Sequence, residues 1–160
     1  MIESDLDNSE QSFIAEGLGN GWLHPTVVRN VDTYWKGGHT DDDFFVGFEF
    51  THIDWEALFF GVLKCPEWGE MQDGEDYSAY RLREYERFQI CTSRFPMLGR
   101  IFDMYEDAGY TSDEVGQLRE QCLKLQSATV HEGGRRALAK LILARDKALK
   151  SAMGLLLISD

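Results

Sequence analysis

The chain has no apolar run long enough to cross a membrane. Its longest, "ALFFGVL" (57–63) and "GLLLI" (154–158), fall far short of the ~20 residues a span needs. Recognisable catalytic signatures are also missing. No GxSxG, P-loop, GxGxxG or HExxH pattern occurs, and "GLGNG" (17–21) is too short and lacks the strand-to-helix setting of a phosphate loop. Cysteine is sparse, with Cys65, Cys91 and Cys122 far apart and no CxxC pair. That usage suggests reduced thiols in a cytoplasmic protein, not a disulfide framework. The opening "MIESDLDNSEQ" is acidic and polar, unlike a secretory or mitochondrial targeting segment.

Basic residues are scarce as well, 16 against 28 acids, for a net charge of −12. Residues 1–76 hold 17 acids and three bases, a balance of −14, whereas residues 131–160 hold three acids and six bases, a balance of +3. Binding phosphates requires a concentrated basic surface, so a nucleic-acid partner is disfavoured. A basic protein partner is favoured, because complementary fields speed encounter and set register. An acid excess also serves simply to keep a chain dispersed.

What the chain does have is apolar content, at 43% of 160 residues, enough for one domain with a real core. Residues 1–10 read as a loose start, followed by a short helix stopped by Gly17, Gly19 and Gly21. A β-rich part spans 22–50: "TVVRNVDTYW" (26–35) has strand composition, and "FFVGFEF" alternates Phe44, Val46, Phe48 and Phe50 on one face. The intervening "KGGHTDDD" makes a hairpin with an acidic tip. From 54 to 150 the period is helical. Trp55, Leu58, Phe59 and Val62 share one face, as do Leu82, Tyr85, Phe88, Cys91 and Phe95. Pro96 opens a helix facing inward through Leu98, Ile101, Phe102 and Tyr105. Val115, Leu118, Cys122 and Leu125 line the next, and Ala137, Leu138, Leu141, Ile142, Ala144 and Ala148 the last. Residues 154–158 either end that helix or form a strand. The expected fold is α+β, mostly helical, with a small N-terminal antiparallel hairpin or sheet.

"DMYEDAGYTSDE" (103–114) has the length of a calcium loop, with Asp103, Asp107, Thr111 and Glu114 at ligand positions 1, 5, 9 and 12. Tyr105 and Ala108 stand where an acid and the sharp-turn glycine belong. A helix corner accounts for more: Gly109 ends one helix in the left-handed conformation, and Thr111 caps the next with Glu114 completing a capping box. His39, Asp41, His52 and Asp54 bracket the second strand with side chains suited to zinc, manganese or iron. Their bland roles are a solvated tip and a helix cap. Cys91 and Cys122 read as core packing and Cys65 as more exposed. None has the positive surroundings a nucleophilic thiolate requires. Arg136, Lys140, Lys147 and Lys150 share spacing for one outer helix face, available for pairing with the acidic half.

Aromatics lie among the acids. Trp35 and Trp55 are core candidates, and Trp68 in "CPEWGEMQDGEDY" is the expected exposed anchor of an interface. The segment "FPMLGRIFDMYEDAGYTSDEVGQLREQCLKL" (95–125) resembles small uncharacterised bacterial proteins, some of them immunity proteins of toxin–immunity systems. That resemblance implies inhibition of a toxin by surface complementarity and assigns no role to any residue. The expected function is therefore non-enzymatic: an acidic immunity-type protein meeting a basic partner through Asp41, Asp42, Asp43, Glu67, Trp68, Glu70, Asp73, Glu75 and Asp76, with no cofactor, metal, nucleic acid or membrane. The alternatives are a metal-dependent or cryptic enzyme using His39, Asp41, His52 and Asp54, or a bacterial regulator with a small-molecule pocket between sheet and helices. Oligomeric state is left open.

Overall fold

The middle of the sheet comes from the two ends of the described chain. The computed structural model describes residues 22–159, in the order β1 (Trp22–Val28), α1 (Val31–Tyr34), β2 (Phe44–Phe45), β3 (Phe50–Thr51), α2 (His52–Glu56), a π-helical segment (Ala57–Val62), α3 (Tyr77–Cys91), a 3₁₀ turn (Leu98–Arg100), β4 (Ala108–Tyr110), α4 (Ser112–Ala128), α5 (Glu132–Lys150) and β5 (Gly154–Ser159). The fold is α+β. The expected loose start and the helix before Trp22 lie outside the described residues.

β5 is sandwiched between β1 and β4, and every pairing is antiparallel. Its "GLLLIS" is apolar without alternation, which suits a strand covered on both faces; Leu155, Leu156 and Leu157 are all buried. Each such leucine contributes about 1.5–3 kcal/mol by leaving water. β1 meets β2 and β3 along its other side. Thr26 opposes Phe45 and Leu23 opposes Phe50, so the two short strands are one strand interrupted at Val46–Glu49. Pro25 lies opposite that interruption, and its carbonyl accepts the Val46 N–H at 3.0 Å. Its missing N–H points to the same side, so the β1–β5 ladder loses nothing. Val46, Phe48 and Phe50 are buried as their alternation requires, while Phe44 is not.

α4 and α5 pack on one another, and α5 also lies across β1, β3, β5 and the π-helical segment. The inward faces expected for both helices are observed. Thr111 and Glu114 form the capping box, with Thr111 N–H donating to Glu114 Oε1 at 3.0 Å and Glu114 N–H to Thr111 Oγ1 at 3.4 Å. The helix expected from Pro96, however, is absent. Residues 98–100 make one 3₁₀ turn, and Gly109 sits inside β4 instead of ending a helix. Gly109 is needed there for space: a Cβ would lie 2.7 Å from Val31 Cγ1, which packs from α1.

Three further expectations are corrected. Leu82 and Tyr85 of α3 are exposed, and Glu84 and Phe88 are the buried pair. The helix is turned to grip the loop before it. Glu84 accepts the Gly69 N–H at 2.9 Å, Arg83 donates to the Glu70 carbonyl at 3.0 Å, and Tyr80 Oη donates to the Gly69 carbonyl at 2.7 Å. Cys65 and Cys91 are joined in a disulfide with Cα atoms 5.6 Å apart, and Cys65 is buried, not exposed. Only Cys122 is a free, buried thiol. The inference of a reducing compartment rested on three free thiols and loses its support. Finally, Trp35 is 54% exposed, because α1 is a single turn with no buried residue to carry it into the core.

The basic helix does not present one outer face. Lys140 and Arg145 of α5 are fully buried. Lys140 Nζ lies 2.7 Å from Asp54 Oδ2, and Arg136 Nε is 3.8 Å from Asp54 Oδ1. Pairing between the basic end and the acidic half, expected from charge, is thus observed at Asp54. Among the described residues no helix is long and apolar enough to cross a membrane.

Candidate functional site

The loop that α3 grips forms one wall of a cleft. Its lining is His52, Trp55, Glu56, Phe60, Glu67, Trp68, Tyr77, Phe102, Asp103, Met104 and Tyr105, and its volume is about 380 Å³. That is within the range of roughly 300–1,000 Å³ found for small-ligand sites. α2 and the π-helical segment supply His52 to Phe60, the loop supplies Glu67 and Trp68, α3 begins at Tyr77, and the chain before β4 supplies Phe102 to Tyr105. Packing among aromatic rings holds these pieces in place. Trp68 stacks on Phe102 at 4.8 Å and 13°, and Trp55 meets Phe60 edge-on at 5.2 Å. The Trp55 indole N–H donates to the Ile101 carbonyl at 2.6 Å, tying α2 to the opposite wall. Tyr77 and Tyr105 stand exposed at the mouth.

The charged groups are carboxylates, with one imidazole, His52, beside them. Glu56, Glu67 and Asp103 line the cleft, and no lysine or arginine does among the described residues. Asp103 is already engaged by Arg81 at 3.4 Å, and Glu56 by His52 Nε2 at 2.8 Å. Glu67 is exposed and has no hydrogen-bond or ion-pair partner among the described residues. Aromatic faces carry negative charge density, so rings and carboxylates together favour a cation. The His52–Glu56 pair has the chemistry of a proton shuttle, but His52 Nδ1 is buried without a hydrogen-bond partner. No serine, threonine or cysteine lines the cleft for it to activate.

The eight acids and one tryptophan expected to bind a partner divide sharply. Asp43 accepts the Arg29 and Thr40 N–H groups, both at 2.8 Å. Burial raises its carboxyl pKa, but these hydrogen bonds prevail and hold it below the ordinary value. Glu75 is bound by Arg83 at 2.9 Å, and this hydrogen bond lowers its pKa to about 2. Asp76 caps α3 by accepting the Ala79 N–H at 2.8 Å. Asp42 pairs with Arg29 and lies in a separate cavity with Phe44, Ser151, Ala152 and Met153. Asp41, Glu67, Glu70 and Asp73 are exposed with side chains that no described residue engages. Trp68 is half-buried against the core and not a projecting anchor. No hydrogen bond or ion pair joins the 39–43 and 67–76 loops among the described residues.

The metal-site alternative does not assemble. His39 stacks on Tyr34 at 4.0 Å, His52 pairs with Glu56, and Asp54 completes the Thr51 capping box while binding Lys140. Among the described residues no three His, Cys, Asp or Glu side chains gather as a metal site. The 103–114 loop has also dispersed its carboxylates: Asp103 to Arg81, Asp107 to the Ser159 N–H at 2.7 Å, and Glu114 to Arg100. Sequence reasoning missed Phe102 to Tyr105 as a wall of the cleft. The spacing of Phe102 and Tyr105 read as an inward helix face, whereas Tyr105 is exposed. No protein-family model, curated protein or solved structure matches the chain.

Proposed function

We propose that this protein is a non-enzymatic binding protein of immunity type that neutralises a basic protein partner by covering it. The observation that carries the reading is the cleft, lined by aromatic rings and three carboxylates with no lysine or arginine among its described lining residues, in which Glu67 is unengaged. Support also comes from the surface around it. Residues 22–76 hold 12 acids and three bases, and the acids that no described residue engages lie in the loops expected to face a partner. The 64–76 loop is pinned by α3 at several points, so little ordering entropy is lost on docking. A long-range negative field would steer a basic partner toward this side at low ionic strength.

The test is capture followed by rescue. Immobilised protein should retain one basic protein from its native host, released by salt. That protein should arrest growth when expressed alone and not when this chain is co-expressed. Changing Asp41, Glu67, Glu70 and Asp73 together to amides should abolish both capture and rescue without lowering Tm. Rescue that survives those four changes, or a captured protein that is acidic, overturns the reading.

A further inference from the structure

We infer that the cleft is an anchor site for a single arginine side chain of the partner, received between Trp68 and the carboxylates of Glu67 and Glu56. The inference rests on the basic-partner reading and makes it specific. The protein solves the same recognition problem three times within its own chain. Arg81 lies over the Phe102 ring at 5.2 Å and pairs with Asp103, Arg83 lies over Tyr80 at 5.3 Å and pairs with Glu75, and Arg100 lies over Tyr110 at 5.4 Å and pairs with Glu114. Each guanidinium lies over one aromatic face and meets at least one carboxylate, Arg81 also pairing with Glu106 at 2.6 Å and Arg83 with Glu84 at 2.8 Å. Glu67 and Trp68 offer that same combination in an open cleft, with no described guanidinium in the place.

Arginine suits this lining better than lysine. A planar, weakly hydrated guanidinium stacks on a ring while its edge donates to a carboxylate, whereas an ammonium is a strongly hydrated point charge. The cleft is predominantly aromatic, so the more weakly hydrated cation loses less on entry. Arg81, itself not a lining residue, already makes this pair of contacts with Phe102 and Asp103. The incoming group would meet Glu67, which no described residue engages.

The site can be probed without the partner. N-acetyl-arginine amide, its lysine counterpart and the uncharged citrulline isostere are titrated into ¹⁵N-labelled protein, following the indole N–H signals of Trp55 and Trp68. Arginine amide should shift both signals saturably, and citrulline should bind roughly tenfold more weakly or not at all. Glu67→Gln should weaken arginine amide binding about fivefold. Glu86→Gln, a charge change of the same size on α3 and outside the cleft lining, should leave it unaltered. Equal shifts with citrulline, or an unaltered titration in E67Q, overturn the anchor. Nona-arginine and nona-lysine peptides separate the two proposals. If both bind equally and independently of Glu67, the basic-partner reading stands and the arginine anchor falls. If neither peptide nor arginine amide binds, both fall.

Discussion

Two buried cations on one helix make opposite demands. Lys140 Nζ donates to Asp54 Oδ2 at 2.7 Å and to the Glu49 carbonyl at 2.9 Å, deep in the protein. Asp54 itself accepts the Thr51 N–H at 2.9 Å, so its carboxylate holds helix and strand together. Lys140→Met would strand that carboxylate away from solvent and should destabilise by about 3–5 kcal/mol. Arg145 is equally buried, yet none of its three guanidinium nitrogens has a hydrogen-bond partner. Its nearest carboxylate is Asp146 at 3.2 Å, and burial pulls its pKa down to about 10. Arg145→Met should therefore range from neutral to about 2 kcal/mol stabilising. Urea denaturation of both variants decides the matter, and a loss in R145M comparable to that in K140M would refute the contrast. Burial also pushes the nearby Cys122 thiol up to about 12, which leaves it unreactive at neutral pH.

Helix glycines give a matched comparison at the next scale. Gly116 lies within α4 with open space where a Cβ would go, whereas a Cβ on Gly134 in α5 would lie 2.1 Å from Val62 Cγ2. Helix propensity alone favours alanine at both positions. Gly116→Ala should gain about 0.5–1 kcal/mol. Gly134→Ala should lose stability, because α5 approaches the π-helical segment too closely to admit a methyl group. Thermal melts of the two variants should move in opposite directions, and parallel shifts would refute the packing argument.

The same scale explains what was legible. The Thr111–Glu114 capping box, the inward faces of α4 and α5, and the Trp55–Leu58–Phe59 face depend on neighbours within a few residues, and each could be read from spacing. The stretch from Pro96 to Gly109 misled because its apolar spacing mimics a helix. What decides it is pairing of β4 with β5, between residues such as Gly109 and Leu156 that are remote in sequence. α3 misled for a related reason: its buried side was chosen by Glu84 gripping a loop, which an apolar stripe cannot reveal. In the candidate site, Glu67 and Trp68 were legible from composition, while the wall from Phe102 to Tyr105 depended on the misread stretch.

For the molecule as a whole, two arginine clasps set the response to acid. Arg83 and Arg100 hold Glu75 and Glu114 at about 2, against an ordinary value of 4.5. The folded carboxylates therefore bind fewer protons than the unfolded ones between those limits. Their stabilisation is complete above about pH 4.5 and is lost progressively as pH falls toward 2. Tm should hold level down to about pH 5 and then drop. A variant carrying Glu75→Gln and Glu114→Gln should begin lower and fall less steeply. Matching slopes in the two proteins would show that other carboxylates control the acid response.

β5 pairs with both β1 and β4, yet it is the last of the three to be made. A ribosome delivers β1 before β5 and must synthesise every described helix before the strand that completes the sheet emerges. Until then Leu23, Val27 and Tyr110 have no β5 to pair with, so the native sheet closes only once β5 has been made. Between the synthesis of β1 and that of β5, nascent chains would expose strand edges, the state in which chaperones and proteases compete for a polypeptide.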